Sequence, residues 1–428
     1  MVYVPFVIMV GTLLLGLPIA FSLAVSGIVG IYLLGGDWNV VFRILGTTPF
    51  GVSAEYVLTT IPMFILMAYF SASGGLARDL YIAGAHWLSR VKGGLAIATV
   101  FACGIFGAMS GASLAAAAVM SSIAMPEMRR HGYSDELAAG AIGIGATLDI
   151  LIPPSVGMVI YGISTQTSIG KLLIAGVIPG IIVAIFLVLA ILVWVRVKPD
   201  HAPEVYAASA GERWASLRRI WSSLLLIALV VALLYTGAAT PTEVGAIGAF
   251  LAAGIGVAFG RLTRAGALEA IRQTVKTSAL IFTILIGATV FGYYMAMSKV
   301  PQQVVSVVTE MDLNRWVVMS GIVVAYFVVS MFMDELPLLL LTLQLTFPLI
   351  TSLGFDPIWF GVMSMLMVSM GLVFPPVGMI AFVVSSSANV SLVKVYTGTS
   401  ILMIALVLTT ILIMVFPGIV LWLPNTMK

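Results

Sequence analysis

Two short stretches of this chain hold groups that a lipid-embedded segment does not carry idly. GATLDILIPPSVG, Gly145 to Gly157, sets an aspartate, two prolines and a serine inside an apolar run. GLVFPPVG, Gly371 to Gly378, repeats the proline pair without the acid. Backbone N–H and C=O groups cannot stand bare in hydrocarbon. A proline pair removes donors and disfavours helix just before it. The carbonyls freed between Thr147 and Ile152 must therefore face protein, water or a cation. Half-helix C-terminal ends carry partial negative charge, and the opposed N-terminal ends partial positive charge. Breaks at Pro153-Pro154 and Pro375-Pro376 thus offer carbonyl oxygens to Na⁺ and amide donors to a carboxylate. A plain proline kink, filled by neighbouring side chains, is the alternative at either one. Asp149 sharpens the question, because a carboxylate at the bilayer centre costs about 2.5–3.5 kcal/mol. Cation coordination, proton relay or pairing would compensate that cost.

Two more apolar segments carry polar groups at their midpoints. FGAMSGASLAAAA, Phe106 to Ala118, gathers Ser110, Gly111 and Ser113 at its presumed tip. Hydroxyls and a bare backbone let a ligand approach closely, although a small-residue helix packing face reads the same way. SMFMDELPLLL holds Asp334 and Glu335, then Pro337. Adjacent acids in an apolar segment suggest a cation site or a solvated entrance. Enzyme chemistry has little support. The chain contains no HExxH, no GxSxG elbow and no Walker A sequence, so metal hydrolysis, serine acylation and ATP turnover lack their residues. The one cysteine, Cys103, excludes a disulfide framework.

The elements that must position these groups follow from composition and periodicity. The chain is 61% hydrophobic and 9% charged, whereas soluble domains carry about a quarter charged residues. The bilayer is its solvent. Apolar runs predict spans at 3–34, 55–72, 134–165 with a break, 172–196, 219–238, 241–259, 275–298, 356–388 with a break, and 399–423. Segments 93–128 and 316–352 predict re-entrant hairpins. The start reads as a membrane helix rather than a removable signal, and the N-terminus is expected to be cytoplasmic.

The two halves match at a constant offset of 222 residues: Pro126 with Pro348, Gly132 with Gly354, Pro153-Pro154 with Pro375-Pro376, and Gly176 with Gly398. Fifteen of the twenty Lys and Arg residues fall on one side if the hairpins enter from opposite sides; Arg43, Lys171, Lys299, Arg315 and Lys428 fall on the other. Basic loops mark the cytoplasm. The plan is an all-α integral membrane protein with inverted repeats, each with a re-entrant hairpin and a broken helix. The first repeat is expected at 1–198 and the second at 219–428, with a cytoplasmic loop at 199–218 and 219–238 as the span that inverts the second copy. Segments 93–165 and 316–388 would be the transport part; 1–72, 172–198, 219–298 and 399–423 the scaffold. Such repeats belong to secondary transporters. A stand-alone Na⁺- or H⁺-coupled carrier of organic anions fits the same residues, and an ion channel fits them less well.

The run AMSGASLAAAA, MPEMRRHGYSDELAAGA and GATLDILIPPSVGMVIYGISTQTSIGKLLIAGVIPG resembles the large membrane subunit of tripartite ATP-independent periplasmic (TRAP) transporters. So do IPMFILMAYF, ATPTEVGA, MFMDELP and GLVFPPVG. The resemblance implies an elevator-type, Na⁺-driven carrier for a small organic acid such as a dicarboxylate or sugar acid, in the bacterial inner membrane. It implies a periplasmic substrate-binding protein and a small four-helix membrane subunit, expected as a separate polypeptide. It places Na⁺ where each hairpin tip meets a broken helix. That assigns Ser110, Gly111 and Ser113 with Gly145, Asp149, Ile152 and Pro153, flanked by Pro154 and Ser155. It also assigns Asp334 with Ser369, Gly371 and Pro375, flanked by Glu335 and Pro376. This chain departs from the family pattern at Asp149, where glycine is usual, and at Glu335-Leu336, where smaller residues are common.

Overall fold

The computed structural model describes residues 2–110, 113–202 and 208–427, and these are helices joined by turns. The first half runs α1 (Val4–Leu14), α2 (Ile19–Gly35), α3 (Trp38–Ser53), α4 (Thr60–Ser73), α5 (Leu76–Trp87), α6 (Gly94–Ser110), α7 (Ser113–Arg130), α8 (Asp135–Ala146), α9 (Val156–Thr165), α10 (Ile169–Ala175) and α11 (Val177–Val197). The second runs α12 (Ala210–Thr236), α13 (Pro241–Ala258), α14 (Arg264–Ser298), α15 (Val300–Glu310), α16 (Arg315–Ser330), α17 (Glu335–Ser352), α18 (Pro357–Gly371), α19 (Met379–Ala388), α20 (Leu392–Leu402), α21 (Ile404–Val415) and α22 (Gly418–Asn425). Among the described residues, seven helices are long and apolar enough to cross a membrane by length and composition. On α11, Ile181, Ile185, Leu189 and Val193 are all exposed. Their spacing makes one outward apolar stripe, which suits lipid rather than water.

The 222-residue offset reappears in the helix boundaries. Shifted by that amount, α7 coincides with α17 at both ends, and α2 coincides with α13 to within one residue. The helix starts are set by short polar side chains. Ser134 and Thr240 each accept from the backbone N–H three residues on, and Thr240 forms a capping box with Glu243. The hairpins are α6–α7 and α16–α17. The broken helices are α8–α9, interrupted by a 3₁₀ turn at Thr147–Ile150, and α18–α19. Helices α3, α5 and α15 are amphipathic.

Three expectations need correction. The run 3–34 is not one crossing. Gly16, at φ +81°, and Pro18 interrupt it, and α1 folds back along α2. The Tyr294 hydroxyl donates to the Val2 carbonyl, and the Phe6 ring lies 5.7 Å from Phe291. Ala20 packs at Gly287 and Gly30 at Tyr294, so α2 runs parallel to α14. The chain therefore starts at the Lys299 end of α14, away from the arginine-rich loops whose side it was expected to share. Shifted by 222, α1 matches the last turns of α12. Each repeat thus opens with an antiparallel helix pair, and no separate inverting span is needed. Second, the inter-repeat loop is shorter than 199–218. A capping box between Ser209 and Glu212 starts α12 at Ala210, and residues 203–207 lie outside the described residues.

Third, the helices divide into packing groups differently from the expected scaffold. Helices α1–α4 pack with α12–α14. The hairpins and broken helices pack with one another, and α11, α20 and α21 join them: α20 lies on α8, and α11 on α21 and α6. Segments 172–198 and 399–423 thus pack with the hairpin body. The join between repeats is tight. A β-carbon on Gly398 would stand 2.0 Å from the Glu136 carbonyl oxygen, and one on Gly140 would stand 2.6 Å from the Gly398 carbonyl carbon. On the surface nearby, Asp135 bonds Arg129 at 2.8 Å and Lys394 at 3.1 Å.

Candidate ion and substrate site

The first hairpin closes on the first break through a hydroxyl–carboxylate contact. Ser113, at the start of α7, donates to Asp149 Oδ1 at 2.7 Å, and both are buried. Small residues on α6 allow this approach. A β-carbon on Gly107 would stand 2.6 Å from the Asp149 β-carbon, and one on Gly104 would touch Leu148 at 3.0 Å. Gly145, the last glycine of α8, lies against Cys103. In the break, Ile152 N–H donates to the Leu148 carbonyl at 3.0 Å. Ile152 is half-buried, Pro153 and Pro154 are buried, and Ser155 caps α9 by accepting from Met158 N–H. The Pro153-Pro154 and Pro375-Pro376 peptide bonds are both cis. Gly111 and the side chain of Ser110 lie outside the described residues.

The second hairpin meets the second break through its backbone. The Gly378 N–H donates to the Met331 carbonyl at 3.1 Å, and the Ser330 hydroxyl sits on the Met367 carbonyl at 3.1 Å. A β-carbon on Gly371 would fall 1.8 Å from Ser330 Oγ, so only glycine fits there. Asp334 is half-buried and caps α17, accepting from Glu335 N–H at 2.9 Å. Ser369 is buried, but its hydroxyl donates to the Met365 carbonyl of its own helix. Pro375 is half-buried and Pro376 exposed. Thr399 and Tyr396 of α20 hold this break by donating to the carbonyls of Val373, Pro376 and Val377.

The structure brings both repeats' acids into one neighbourhood. Glu335 is buried and packs on Gly157, the second residue of α9, with Oε1 3.4 Å from the position of a β-carbon there. Asp149 and Asp334 are both within electrostatic reach of it. The acids do not form a metal cage: among the described residues no three His, Cys, Asp or Glu side chains are placed to hold one ion. A cation there would depend on backbone carbonyls and hydroxyls. Sequence reasoning missed Gly107, Ser330 and Thr399. Only Gly107 carried a signal, since it lies in the small-residue stretch next to Ser110.

An open cleft of about 1270 Å³ separates the two packing groups on the Lys171 side. Thr48, Glu55 and Thr242 line it from one group, and Gln166, Ser168 and Gln344 from the other. It reaches Leu340 of α17 but stops short of Glu335 and Asp149.

Residues 6–419 match the model of the tripartite ATP-independent periplasmic transporter, DctM component. The chain is 34% identical to the C4-dicarboxylate TRAP transporter large permease protein DctM of Pseudomonas aeruginosa over 94% of each chain. It is 30% identical to the sialic acid TRAP transporter large permease protein SiaM of Vibrio cholerae, covering 97% of this chain and 96% of that one. It is also 30% identical to the ectoine TRAP transporter large permease protein TeaC of Halomonas elongata, over 97% of each. The Alcanivorax borkumensis YdaH transporter shares the fold, with a TM-score of 0.64 at 15% identity over 88% of this chain and 89% of that one. Transport rather than enzymatic turnover is therefore this multi-pass membrane protein's activity, and the chain belongs to the DctM family, the large permease component of TRAP transporters.

Proposed function

We propose that this chain is the permease of a three-part uptake system that moves a small organic acid across the bacterial inner membrane, driven by Na⁺. A periplasmic binding protein delivers the cargo, and a small four-helix membrane subunit braces the group formed by α1–α4 and α12–α14. Relatives named for C4-dicarboxylates, sialic acid and ectoine support a small carboxylate-bearing cargo. One observation carries the reading: each hairpin tip is bonded to the helix break of its own repeat, Ser113 to Asp149 and Met331 to Gly378. Sites of that kind place half-helix dipoles and carbonyls around an ion at the membrane midplane. Na⁺ would sit at Ser110, Ser113 and Asp149 in the first repeat and near Asp334 and Gly371 in the second. The cleft between the packing groups supports an elevator motion, in which the hairpin body slides along the other group.

Reconstitution in proteoliposomes tests this. Saturable uptake of an organic acid, driven by a Na⁺ gradient and requiring both partners, is expected. Uptake with neither partner would make the chain a stand-alone carrier, and flux without saturable counterflow would make it a channel.

A further inference from the structure

A small pocket lined by arginines lies at the end of the molecule opposite the large cleft. The start of α13, Thr240 to Thr242, lines the cleft, and the last turn of the same helix, Ile255 to Phe259, lines the pocket. Helices α12 and α13 are antiparallel neighbours, so Arg218 and Arg219 of α12 reach the same place, and Arg261 closes it from the turn after α13. The three arginines differ in what they already do. Arg261 is held: it pairs with Asp79, donates to the Gly74 carbonyl at 3.4 Å and lies 6.0 Å from the centre of the Phe259 ring. Its charge is met, and it serves the carbonyl end of α4 as a cation there should. Arg218 and Arg219 do neither. Both are exposed, and among the described residues neither forms an ion pair. Two unmatched guanidinium groups on one pocket repel each other, and an anion between them turns that repulsion into charge-assisted hydrogen bonds.

Size and setting choose the anion. The pocket holds about 90 Å³, whereas a water occupies about 30 Å³ of liquid. That is room for a phosphate group and too little for a helix or strand of a protein partner. The pocket also lies where the chain passes into hydrocarbon. The apolar run of α12 begins directly after Arg219, and Trp221, Leu225 and Phe259 are exposed beside the arginines. Tryptophan is favoured at headgroup depth, the planar guanidinium fork matches phosphate oxygens, and basic pockets between membrane helices take acidic headgroups. We propose that this pocket binds the phosphate of an anionic phospholipid. Arg218 and Arg219 hold the phosphate, Arg261 is the fixed wall, and the acyl chains run along Trp221 and Leu225. A zwitterionic lipid brings an ammonium that the same arginines repel, so net negative charge is selected. The site does not rest on the transport reading above.

The test is native mass spectrometry of the full chain, stripped of lipid in neutral detergent and titrated with phosphatidylglycerol or phosphatidylcholine. Phosphatidylglycerol is expected to bind at least about tenfold more tightly. That preference is expected to vanish in Arg218→Gln/Arg219→Gln and to persist in Arg196→Gln/Lys198→Gln, which removes two exposed charges at the end of α11. An equal loss in both double variants would mean general attraction to a basic surface and overturns the proposal. Equal binding of the two lipids by the wild type overturns it without any variant. Inorganic phosphate is the second arm: if it displaces phosphatidylglycerol at equal concentration, the occupant is free phosphate and the lipid assignment falls.

Discussion

The two helix breaks share a backbone plan and differ in where they keep their charge. In the first, the acid is in the break and the hairpin supplies a hydroxyl: Asp149 meets Ser113. In the second, the acids are at the hairpin tip, and the position equivalent to Asp149 is Gly371. Each contact uses glycine on the opposite partner. Gly107 of the hairpin makes room for the Asp149 side chain, whereas Gly371 of the break makes room for Ser330. The surroundings differ too, since the first proline pair is buried and the second partly open. An inverted repeat thus conserves the close approach of tip to break while leaving the placement of charge free to vary. The result here is that Glu335 of the second repeat packs on Gly157 of the first, and the charges do not occupy symmetric sites.

That comparison can be broken by moving the acid. Gly371→Asp should cost more than about 3 kcal/mol, because its β-carbon would overlap Ser330. Thermal unfolding of the purified protein measures this, and a variant as stable as the wild type would show that the breaks are interchangeable. Removing charge sharpens it. Asp149→Asn should shift the Na⁺ concentration for half-maximal uptake, and Asp334→Ala should lower uptake, each by at least about tenfold, or about 1.4 kcal/mol. An unchanged Na⁺ titration in Asp149→Asn, or full uptake by an inserted Asp334→Ala, removes that residue from the site. Ser113→Ala strands a buried carboxylate oxygen and should destabilise by about 1–3 kcal/mol, with no matching loss from Ser369→Ala, whose hydroxyl bonds its own helix. Lys394→Ala breaks an ion pair whose lysine side chain is 46% exposed, and its melting shift should correspond to less than about 1 kcal/mol. A larger shift would mean that charge, rather than the glycine contact, joins the repeats.

Much of this architecture was legible before the structure. Paired prolines, paired hairpins and a constant offset located both breaks and both tips, since each rests on local chemistry that repeats in register. The fold-back of α1 was harder to read. Gly16 and Pro18 marked it, but leucines on either side kept the apolar run continuous. The grouping of α11 and α21 with the hairpins was not legible, because an all-round apolar helix gives no sign of which neighbour it buries against. Glu335 was legible as an acid near a tip, belonging to a cation site or a solvated entrance. Its burial against Gly157 depends on a contact between repeats that no local pattern encodes.

The crossing of α8 and α20 has a consequence for how cargo can be handed over. Where Gly140 meets Gly398 and the Glu136 carbonyl, main chain rests on main chain and no side chain is left to yield. Displacing one half of the hairpin body must therefore drag the other with it. The two helix breaks, one from each repeat, would then travel as a single piece, and neither could change its exposure alone.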